Sequence, residues 1–255
     1  MSQRNRDEPR VAMLIDADNV SGRNAGAVIA EAGRHGRPII RRIYGDWTST
    51  ALRQWKAILA DHAVQPIQQF ANSIGKNATD SALIIDAMDL LHADAAEVFC
   101  IVSSDADFTR LASRLRESGR EVVGIGRRKT PKAFVQACDR FIFIENLIDG
   151  DAELPAPTRA TKASKPVEAE NPGDQATEVG ALGPMLERAY DDAETDDGYA
   201  LLGAIDNALQ RIDPAFDPRN YGFRQLRRLV EAQPDLSVAK HPDKNALIVT
   251  RAGNG

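Results

Sequence analysis

Short apolar runs alternate with helical patterns from Val11 to Leu147. Six runs predict strands, at 11–16, 38–44, 64–70, 98–103, 121–126 and 140–144. Helical patterns fall between them, at 24–35, 49–62, 79–92, 107–118 and 131–138. Four of the six runs are apolar nearly throughout, as strands covered on both faces are, and strands separated by such helices form right-handed βαβ units. The pattern predicts an α/β domain over residues 10–148, with a mostly parallel sheet and helices on both faces.

The pattern changes after residue 148. Residues 149–178 contain Pro, Ala, Thr and charged residues but almost no large apolar side chain, so we expect a flexible linker with an r.m.s. span of about 30 Å. Residues 1–9 are polar and are predicted to be disordered. Beyond the linker, helical patterns at 181–190, 199–211 and 222–232 precede two strand patterns at 236–240 and 246–250. Three helices and a terminal hairpin predict a small winged helix over 179–252.

Composition narrows the class of protein. The 255-residue chain has no apolar run long enough to span a bilayer, and its polar N-terminus lacks the apolar core of a secretion signal. We therefore expect a soluble, cytoplasmic protein without a membrane partner. Cys100 and Cys138 fit buried thiols better than a disulfide, and the four histidines show no zinc-site spacing.

The net charge of -5 is unevenly distributed. Residues 1–150 contain 20 Lys+Arg and 19 Asp+Glu, a net of +1, which leaves 12 and 18, a net of -6, for the rest of the chain. Overall acidity does not exclude a nucleic-acid partner, because the charge near a site governs binding there.

Acidic residues stand where three predicted βα junctions should meet. Asp16 ends the first strand, and Asp105 and Asp107 follow the fourth. Asp80 begins a helical pattern that Thr79 is placed to cap. Ligands of open α/β sheets bind outside the carboxyl ends of the strands, so these four carboxylates are expected to converge.

Such a cluster needs a counter-charge, because two carboxylates about 4 Å apart repel by roughly 4 kcal/mol at an effective dielectric constant near 20. A donor set of oxygens without His or Cys favours Mg²⁺ or Mn²⁺, with phosphate oxygens as further ligands. The chemistry that such a site serves is phosphodiester hydrolysis. Asp18 suits a turn or a cap, whereas Asn19 could orient a water molecule or a phosphate.

Basic residues flank the acidic positions. Lys76 stands four residues before Asp80, and a cluster follows the fifth strand: Arg127, Arg128, Lys129 and Lys132. If that strand is parallel to the others, the cluster lies on the same edge as the carboxylates and can bind phosphate; a solvated surface loop is the alternative interpretation. Trp47 and Trp55 could stack on bases, although the amphipathic pattern around Trp55 favours the core.

Five motifs together resemble one known family. They are LIDADNV at 14–20, RRIYGDW at 41–47, GKNATD at 75–80, VSSDADF at 102–108 and FVQACDRFIFIENL at 134–147. These resemble the NYN domain, in its LabA-like branch of the PIN-like nuclease superfamily, over nearly all of residues 10–148.

That resemblance implies a ribonuclease dependent on Mg²⁺ or Mn²⁺. It places Asp16, Asp80, Asp105 and Asp107 at the family's acidic positions and Asn19 at the companion polar position. Single-stranded RNA is the expected substrate.

Residues 180–250 resemble the OST-HTH or LOTUS domain, an RNA-associated winged helix. The resemblance implies that this domain targets the protein to RNA. Arg224, Arg227 and Arg228 could face RNA or a protein partner, with a solvated helix surface as the alternative. The acidic segment at 191–197 would repel phosphates, so RNA would have to use another face.

Two other functions fit parts of the sequence. DADNV at 16–20 also matches the nucleophile motif of haloacid-dehalogenase-like phosphatases, in which Asp16 would attack phosphorus and Asp18 would act as the acid. The remaining motifs of that superfamily do not follow in order after Ser103 and Lys129. The second alternative is an adaptor that holds RNA without cutting it.

Overall fold

A computed structural model describes residues 8–70, 78–148, 175–242 and 245–251. The chain divides into two compact units, 1–149 and 150–255. The predicted disorder at 1–7, the predicted linker up to residue 174 and Lys76 all lie outside the described residues.

The first unit alternates strands and helices along the chain, and all six predicted strands are confirmed within one or two residues at most ends. The strands are β1 (Arg10–Asp16), β2 (Arg37–Gly45), β3 (Gln65–Gln68), β4 (Val98–Val102), β5 (Glu121–Gly126) and β6 (Arg140–Phe143). The helices are α1 (Ala25–Ala32), α2 (Arg53–Ile58), α3 (Ala78–His92), α4 (Thr109–Glu117), α5 (Lys132–Ala137) and α6 (Ile144–Ile148).

The described strands of this unit form one parallel sheet in the order β3-β2-β1-β4-β5-β6. The chain builds outward from β1 to β3, returns to the centre, and builds outward again from β4 to β6. The order of strands therefore reverses between β1 and β4. Open α/β sheets bind their ligands at such a reversal, outside the carboxyl ends of the two strands.

The central strands are buried on both faces, as their continuous apolar runs predict. Val11, Met13 and Ile15 of β1 pack in one core cluster, while the alternate residues Ala12 and Leu14 are equally buried on the other face. Two buried faces require a layer of helices on each, so the predicted fold class is confirmed. β3 and β6 are the two edge strands, and Pro66 gives β3 one backbone donor fewer for further pairing.

Helix α2 is shorter than the predicted 49–62 because polar side chains hold the preceding residues in a turn. The Asp46 carboxylate accepts from the amide and hydroxyl of Thr48, at 3.0 and 2.6 Å, and the Ser49 hydroxyl accepts from the Ala51 amide at 3.1 Å. Such local bonds compete with the bonds of a helix. At the other end, the helix stops before Ala63, whose φ of 49° is left-handed.

The second unit also has the predicted helices and hairpin, with one addition. Its helices are α7 (Gln175–Ala193), α8 (Leu202–Ile212) and α9 (Leu226–Glu231), and its antiparallel sheet consists of β7 (Ala200–Leu201), β8 (Leu236–Lys240) and β9 (Leu247–Arg251) in the order β7-β9-β8. The pairing of β7 with β9 uses residues that the helical pattern had assigned to the start of α8. Helix α7 begins at Gln175, inside the segment predicted as linker.

Helix α9 is also shorter than the predicted 222–232. A short 3-10 helix, Pro218–Tyr221, ends at Gly222 with a φ of 82°, which glycine adopts without strain. The apolar core of this unit includes Tyr190, Leu209, Leu229 and Val249. None of the described helices has the length and apolar character that a bilayer crossing requires.

Candidate metal centre

The carboxyl ends of β1 and β4 lie side by side. Ile15 of β1 pairs with Val102 of β4, so the next residue of each strand, Asp16 and Ser103, stands at the same level. Both are buried, and each follows a run of buried apolar residues in its own strand. The reversal of strand order therefore places polar groups at its centre.

Asp16 is held by three donors. Its Oδ1 accepts from the Asp18 amide at 3.0 Å, and its Oδ2 accepts from the Asn19 side-chain amide at 2.6 Å and from the Ser103 hydroxyl at 2.9 Å. Burial raises the pKa of the Asp16 carboxyl above its ordinary value, and the three hydrogen bonds act against that rise. Asp16 is thus a fixed, buried carboxylate at the base of the site.

Three other carboxylates meet beside it. One ligand atom from each of Asp80, Asp105 and Asp107 lies within 4.8 Å of the other two. Asp80 reaches this point from the first turn of α3, and the other two from the loop after β4. The structure therefore brings together three of the four predicted acidic residues within reach of one ion, with Asp16 adjacent.

The pKa of the Asp80 carboxyl is raised in these surroundings. Burial raises the pKa of its carboxyl to about 6, and the charges of nearby carboxylates, led by Asp16 and Asp105, add to the rise. The Asp80 helix begins at Ala78, and Thr79 lies in its first turn. Thr79 is therefore part of the helix rather than the cap that the sequence predicted.

The loop after β4 is organised by its own side chains. Asp105 caps a short 3-10 helix, Ala106–Phe108, by accepting from the Asp107 amide at 2.9 Å. The Asp105 amide in turn donates to the Ser103 hydroxyl at 3.1 Å. Ser103 therefore contacts both Asp16 and the segment that carries Asp105. Sequence reasoning missed this role. The feature that could have indicated it is a small polar residue directly after a fully apolar strand.

Asn19 and Asp18 differ in their placement. The Asn19 side chain donates to Asp16, so it orients a carboxylate as well as facing the site. Asp18 is exposed, and its backbone amide completes the turn around Asp16, as the turn prediction expected. The Asp18 charge also contributes to the raised pKa of Asp80.

The basic loop opens on the same edge as the carboxylates, because β5 is parallel to β4. The Arg127 amide donates to the Ser104 hydroxyl at 2.8 Å, which joins this loop to the segment after β4. The Thr130 hydroxyl donates to the Arg127 carbonyl at 2.6 Å, and Pro131 occupies the cap position of α5. Thr130 therefore closes the basic loop.

The predicted phosphate ligands in this loop are unequal. The side chains of Arg127 and Lys129 are exposed. Arg128 is exposed as well, but it donates to the Asn146 side chain at 2.9 Å, and its guanidinium lies 5.3 Å from the centre of the Phe143 ring. Arg128 thus stabilises the contact with α6.

The two tryptophans serve the fold. Trp55 is buried, as predicted, and its indole donates to the Val20 carbonyl at 2.8 Å. Trp47 is half-buried, and its indole donates to the Ile67 carbonyl at 2.9 Å.

In the second unit, Arg227 and Arg228 both pair with Glu231 on α9, at 2.6 and 3.0 Å. Arg224 is exposed just before that helix. The positive charge that these residues offer to a ligand is thus partly neutralised within the helix.

The arrangement does not suit the phosphatase alternative. In that reaction the Asp16 carboxylate would attack phosphorus, yet it is buried and both its oxygens accept hydrogen bonds.

Comparisons with known proteins identify a family for each of the two units. The NYN domain model matches residues 10–145, and the OST-HTH/LOTUS domain model matches residues 179–248. A crystal structure of a Vibrio parahaemolyticus protein of unknown function is similar to this chain, with 18% identity and a TM-score of 0.45, over 55% of this chain and 94% of that one. No curated protein gives a significant match. The chain belongs to the NYN domain family, and an OST-HTH/LOTUS domain follows its NYN domain.

Proposed function

We propose that this protein is a metal-dependent ribonuclease that cuts single-stranded RNA at the acidic cluster of its NYN domain. The observation that carries the proposal is the convergence of Asp80, Asp105 and Asp107 within 4.8 Å of one another. Asp80 comes from the first turn of α3 and the other two from the loop after β4, at the reversal of strand order, where α/β sheets bind ligands.

The donor set fits a hard divalent cation. All three side chains offer carboxylate oxygens, and no His or Cys belongs to the group, which favours Mg²⁺ or Mn²⁺ over zinc or copper. When bound, such an ion lowers the pKa of a coordinated water and stabilises negative charge on an attacked phosphate. Asp80, Asp105 and Asp107 would hold it.

Asp16 and Asn19 support the acidic cluster from the buried side of the site. The buried Asp16 carboxylate adds negative charge next to Asp80, and Asn19 and Ser103 hold it in one orientation. Fixed charge of this kind needs no rearrangement when a cation or a phosphate arrives.

Arg127 and Lys129 supply positive charge at the edge of the acidic site. Both are exposed on the loop after β5, and the Arg127 backbone is anchored to Ser104 beside the cluster. Contacts of such residues with backbone phosphates position a strand without reading its sequence. We assign to them the phosphates next to the one that is cut, with Lys76 as a further candidate.

The OST-HTH/LOTUS domain is proposed to target the nuclease to RNA. A second binding domain on one chain raises the effective concentration of the first for a shared strand. Deletion of residues 179–255 is then expected to weaken RNA binding without removing the cleavage activity of the NYN domain.

The test is cleavage of labelled single-stranded RNA, and of DNA of the same sequence, by the purified full-length chain with Mg²⁺, with Mn²⁺ and with EDTA. Asp16→Asn and Asp105→Asn are compared with Asp89→Asn, which changes an exposed carboxylate of α3 outside the cluster. We expect metal-dependent cutting of RNA that the first two variants reduce to the level seen with EDTA and that Asp89→Asn leaves unchanged.

Other results would contradict the proposal in distinct ways. RNA that is bound but not cut with either metal would make the protein an adaptor. Cutting that persists in Asp105→Asn or in EDTA would exclude the cluster as the active site, and equal cutting of DNA would exclude a preference for RNA.

A further inference from the structure

A cavity of about 290 Å³ opens beside the acidic cluster, between the loop after β1 and the start of α2. Its lining includes Asp18, Val20, Leu52, Gln54, Trp55 and Arg127. Two larger surface grooves lie elsewhere on this domain, one of them around the start of β5 at the opposite edge of the sheet. The smaller cavity adjoins the acidic cluster through residues 17–19, which directly follow Asp16.

The cavity has an apolar floor and a polar rim. Leu52, Trp55 and Val20 form buried surface, whereas Asp18, Gln54 and Arg127 are exposed at the opening. Binding sites for small planar ligands combine these features: apolar walls take the faces of the ligand, and a few polar groups fix its edge.

The walls are held in place by specific contacts. The Trp55 indole donates to the Val20 carbonyl at 2.8 Å, which locks α2 to the loop after β1. Gly22 packs so closely on α2 that an added Cβ would lie 2.9 Å from the Trp55 backbone nitrogen. The cavity is therefore a preformed feature of the fold.

The groups on the rim complement the edge of a nucleobase. The Gln54 side-chain carbonyl accepts from the Ser21 hydroxyl at 3.2 Å, which leaves its amide nitrogen to donate to a ligand. The Asp18 carboxylate offers acceptors. Every nucleobase carries both an acceptor and a donor on its pairing edge, and that edge is accessible only when the base is unpaired.

The cavity lies close to the groups that would bind the phosphates of an RNA strand. Asp18 lines the cavity, and its backbone amide donates to Asp16 beside the acidic cluster at 3.0 Å. Arg127 lines the other side, on the loop anchored beside Ser104. A nucleotide seated here has the acidic cluster on one side and a cation for its phosphate on the other.

We infer that this cavity binds one unpaired nucleobase of the RNA strand, next to the phosphodiester at the acidic cluster. The inference rests on the proposed function, and it assigns single-strand selectivity to the NYN domain itself: Leu52 and Trp55 contact the base, and Gln54 and Asp18 bind its pairing edge.

The first test measures binding and needs no catalysis. The full-length chain, labelled with ¹⁵N and kept in EDTA, is titrated with each nucleoside 5′-monophosphate and with ribose 5-phosphate, which lacks the base. The chain has two tryptophans, and a Trp47→Phe sample assigns their indole signals. We expect the monophosphates to shift the Trp55 indole signal and ribose 5-phosphate to leave it in place.

A cavity-filling variant links that shift to the site. Ala51 is exposed at the rim, so Ala51→Phe narrows the cavity without a clash in the core. Ala57→Phe is the control, because Ala57 is exposed on the adjoining helix α2 but does not line the cavity. Ala51→Phe is expected to abolish the Trp55 shift, and Ala57→Phe to preserve it.

The second test uses cleavage of RNA in which one nucleotide lacks its base, placed at successive positions. Wild-type protein is expected to lose cutting at the bond beside the abasic nucleotide. We expect Gln54→Ala and Ala51→Phe to cut intact RNA more slowly than the wild type. We also expect the missing base to have no further effect on their cutting, because the contact between the base and the cavity is already lost in these variants.

The outcomes separate the two proposals. A Trp55 shift without RNA cleavage supports the cavity and contradicts the nuclease. Two results support the nuclease but overturn the proposed base site. One is RNA cleavage without a base-dependent shift of the Trp55 signal. The other is cleavage in which the variants are as sensitive to the missing base as the wild type.

Discussion

The Ser103 hydroxyl donates to the Asp16 Oδ2 atom at 2.9 Å and accepts from the Asp105 amide at 3.1 Å. One buried hydroxyl thereby joins the end of β1 to the loop that carries two carboxylates of the cluster. The geometry of an acidic site thus depends on a neutral side chain beneath it.

Replacing Ser103 by Ala removes a donor to a buried carboxylate. We expect Ser103→Ala to lower the free energy of unfolding by about 1–3 kcal/mol, the usual cost of an unsatisfied buried group. Loosening Asp105 should also weaken Mn²⁺ binding by about 10-fold or more. Urea unfolding and Mn²⁺ titration followed by electron paramagnetic resonance measure the two effects.

Ser113→Ala is the control for that change, because the Ser113 hydroxyl donates to the Thr109 carbonyl within α4 and belongs to no contact of the cluster described above. Unchanged metal affinity in Ser103→Ala would show that the hydroxyl does not position the cluster.

The metal-free protein should be less stable when Asp80 is ionised. The pKa of this carboxyl rises from 3.8 to about 6 in the folded state, so ionisation opposes folding above pH 6 and has no effect below pH 3.8. In EDTA at neutral pH, Asp80→Asn is expected to stabilise the fold by about 1 kcal/mol, since solvent screens a half-buried charge. Urea unfolding across this pH range should show the gain shrinking as pH falls from 6 to 3.8; a gain that does not change with pH would exclude ionisation as its cause.

Divalent cations should stabilise the fold through the cluster. A ligand at about 100 times its dissociation constant adds roughly 2.7 kcal/mol to the stability of a single-site protein. We expect the unfolding temperature to rise with Mg²⁺ or Mn²⁺ and the rise to disappear in Asp107→Asn. Asp61→Asn, an exposed carboxylate away from the site, should retain it, and a metal response that survives in Asp107→Asn would place the ion elsewhere.

His35 should make the protein sensitive to acid. Its Nε2 atom is buried without a hydrogen-bond partner in the described structure, and burial, with the charges of Arg140 and Arg34, lowers its pKa from 6.5 to about 4. As pH falls below 6.5, the unfolded chain binds a proton that the folded chain does not, so stability declines by at most about 1.4 kcal/mol per pH unit until about pH 4.

His35→Gln is expected to flatten that part of the stability profile, measured by urea unfolding at several pH values. The exposed His92 provides the control variant. Equal slopes for wild type and His35→Gln would assign the acid sensitivity to other groups.

Arg127 and Arg128 are adjacent but should respond differently to replacement. Arg127→Ala removes an exposed cation at the site, so RNA affinity should fall and the slope of log affinity against log salt should decrease by about 1. Arg128→Ala should mainly reduce stability, because that side chain binds Asn146 and packs on Phe143. Fluorescence anisotropy at several salt concentrations, with thermal unfolding of each variant, separates the effects; an unchanged slope in Arg127→Ala would remove Arg127 from the phosphate contacts.

The amino-acid sequence alone predicts much of the first domain. β1, β4 and β5 are continuous apolar runs because both of their faces are covered. The local sequence is therefore enough to identify these strands. The acidic residues after β1 and β4 are likewise visible as polar positions at the ends of apolar runs. Helix ends are less well predicted where side chains such as Asp46 and Ser49 bond the backbone and stop a helix that periodicity would extend.

The tertiary structure decides which distant side chains meet. Strand order brings Ser103 beside Asp16, and the packing of α3 carries Asp80 to the loop after β4. The same packing forms the cavity from segments that are far apart in the chain, and it directs Arg128 to α6 while Arg127 stays at the site. Periodicity reports how far each residue is buried, but contacts between remote residues depend on how the elements pack, which no local pattern encodes.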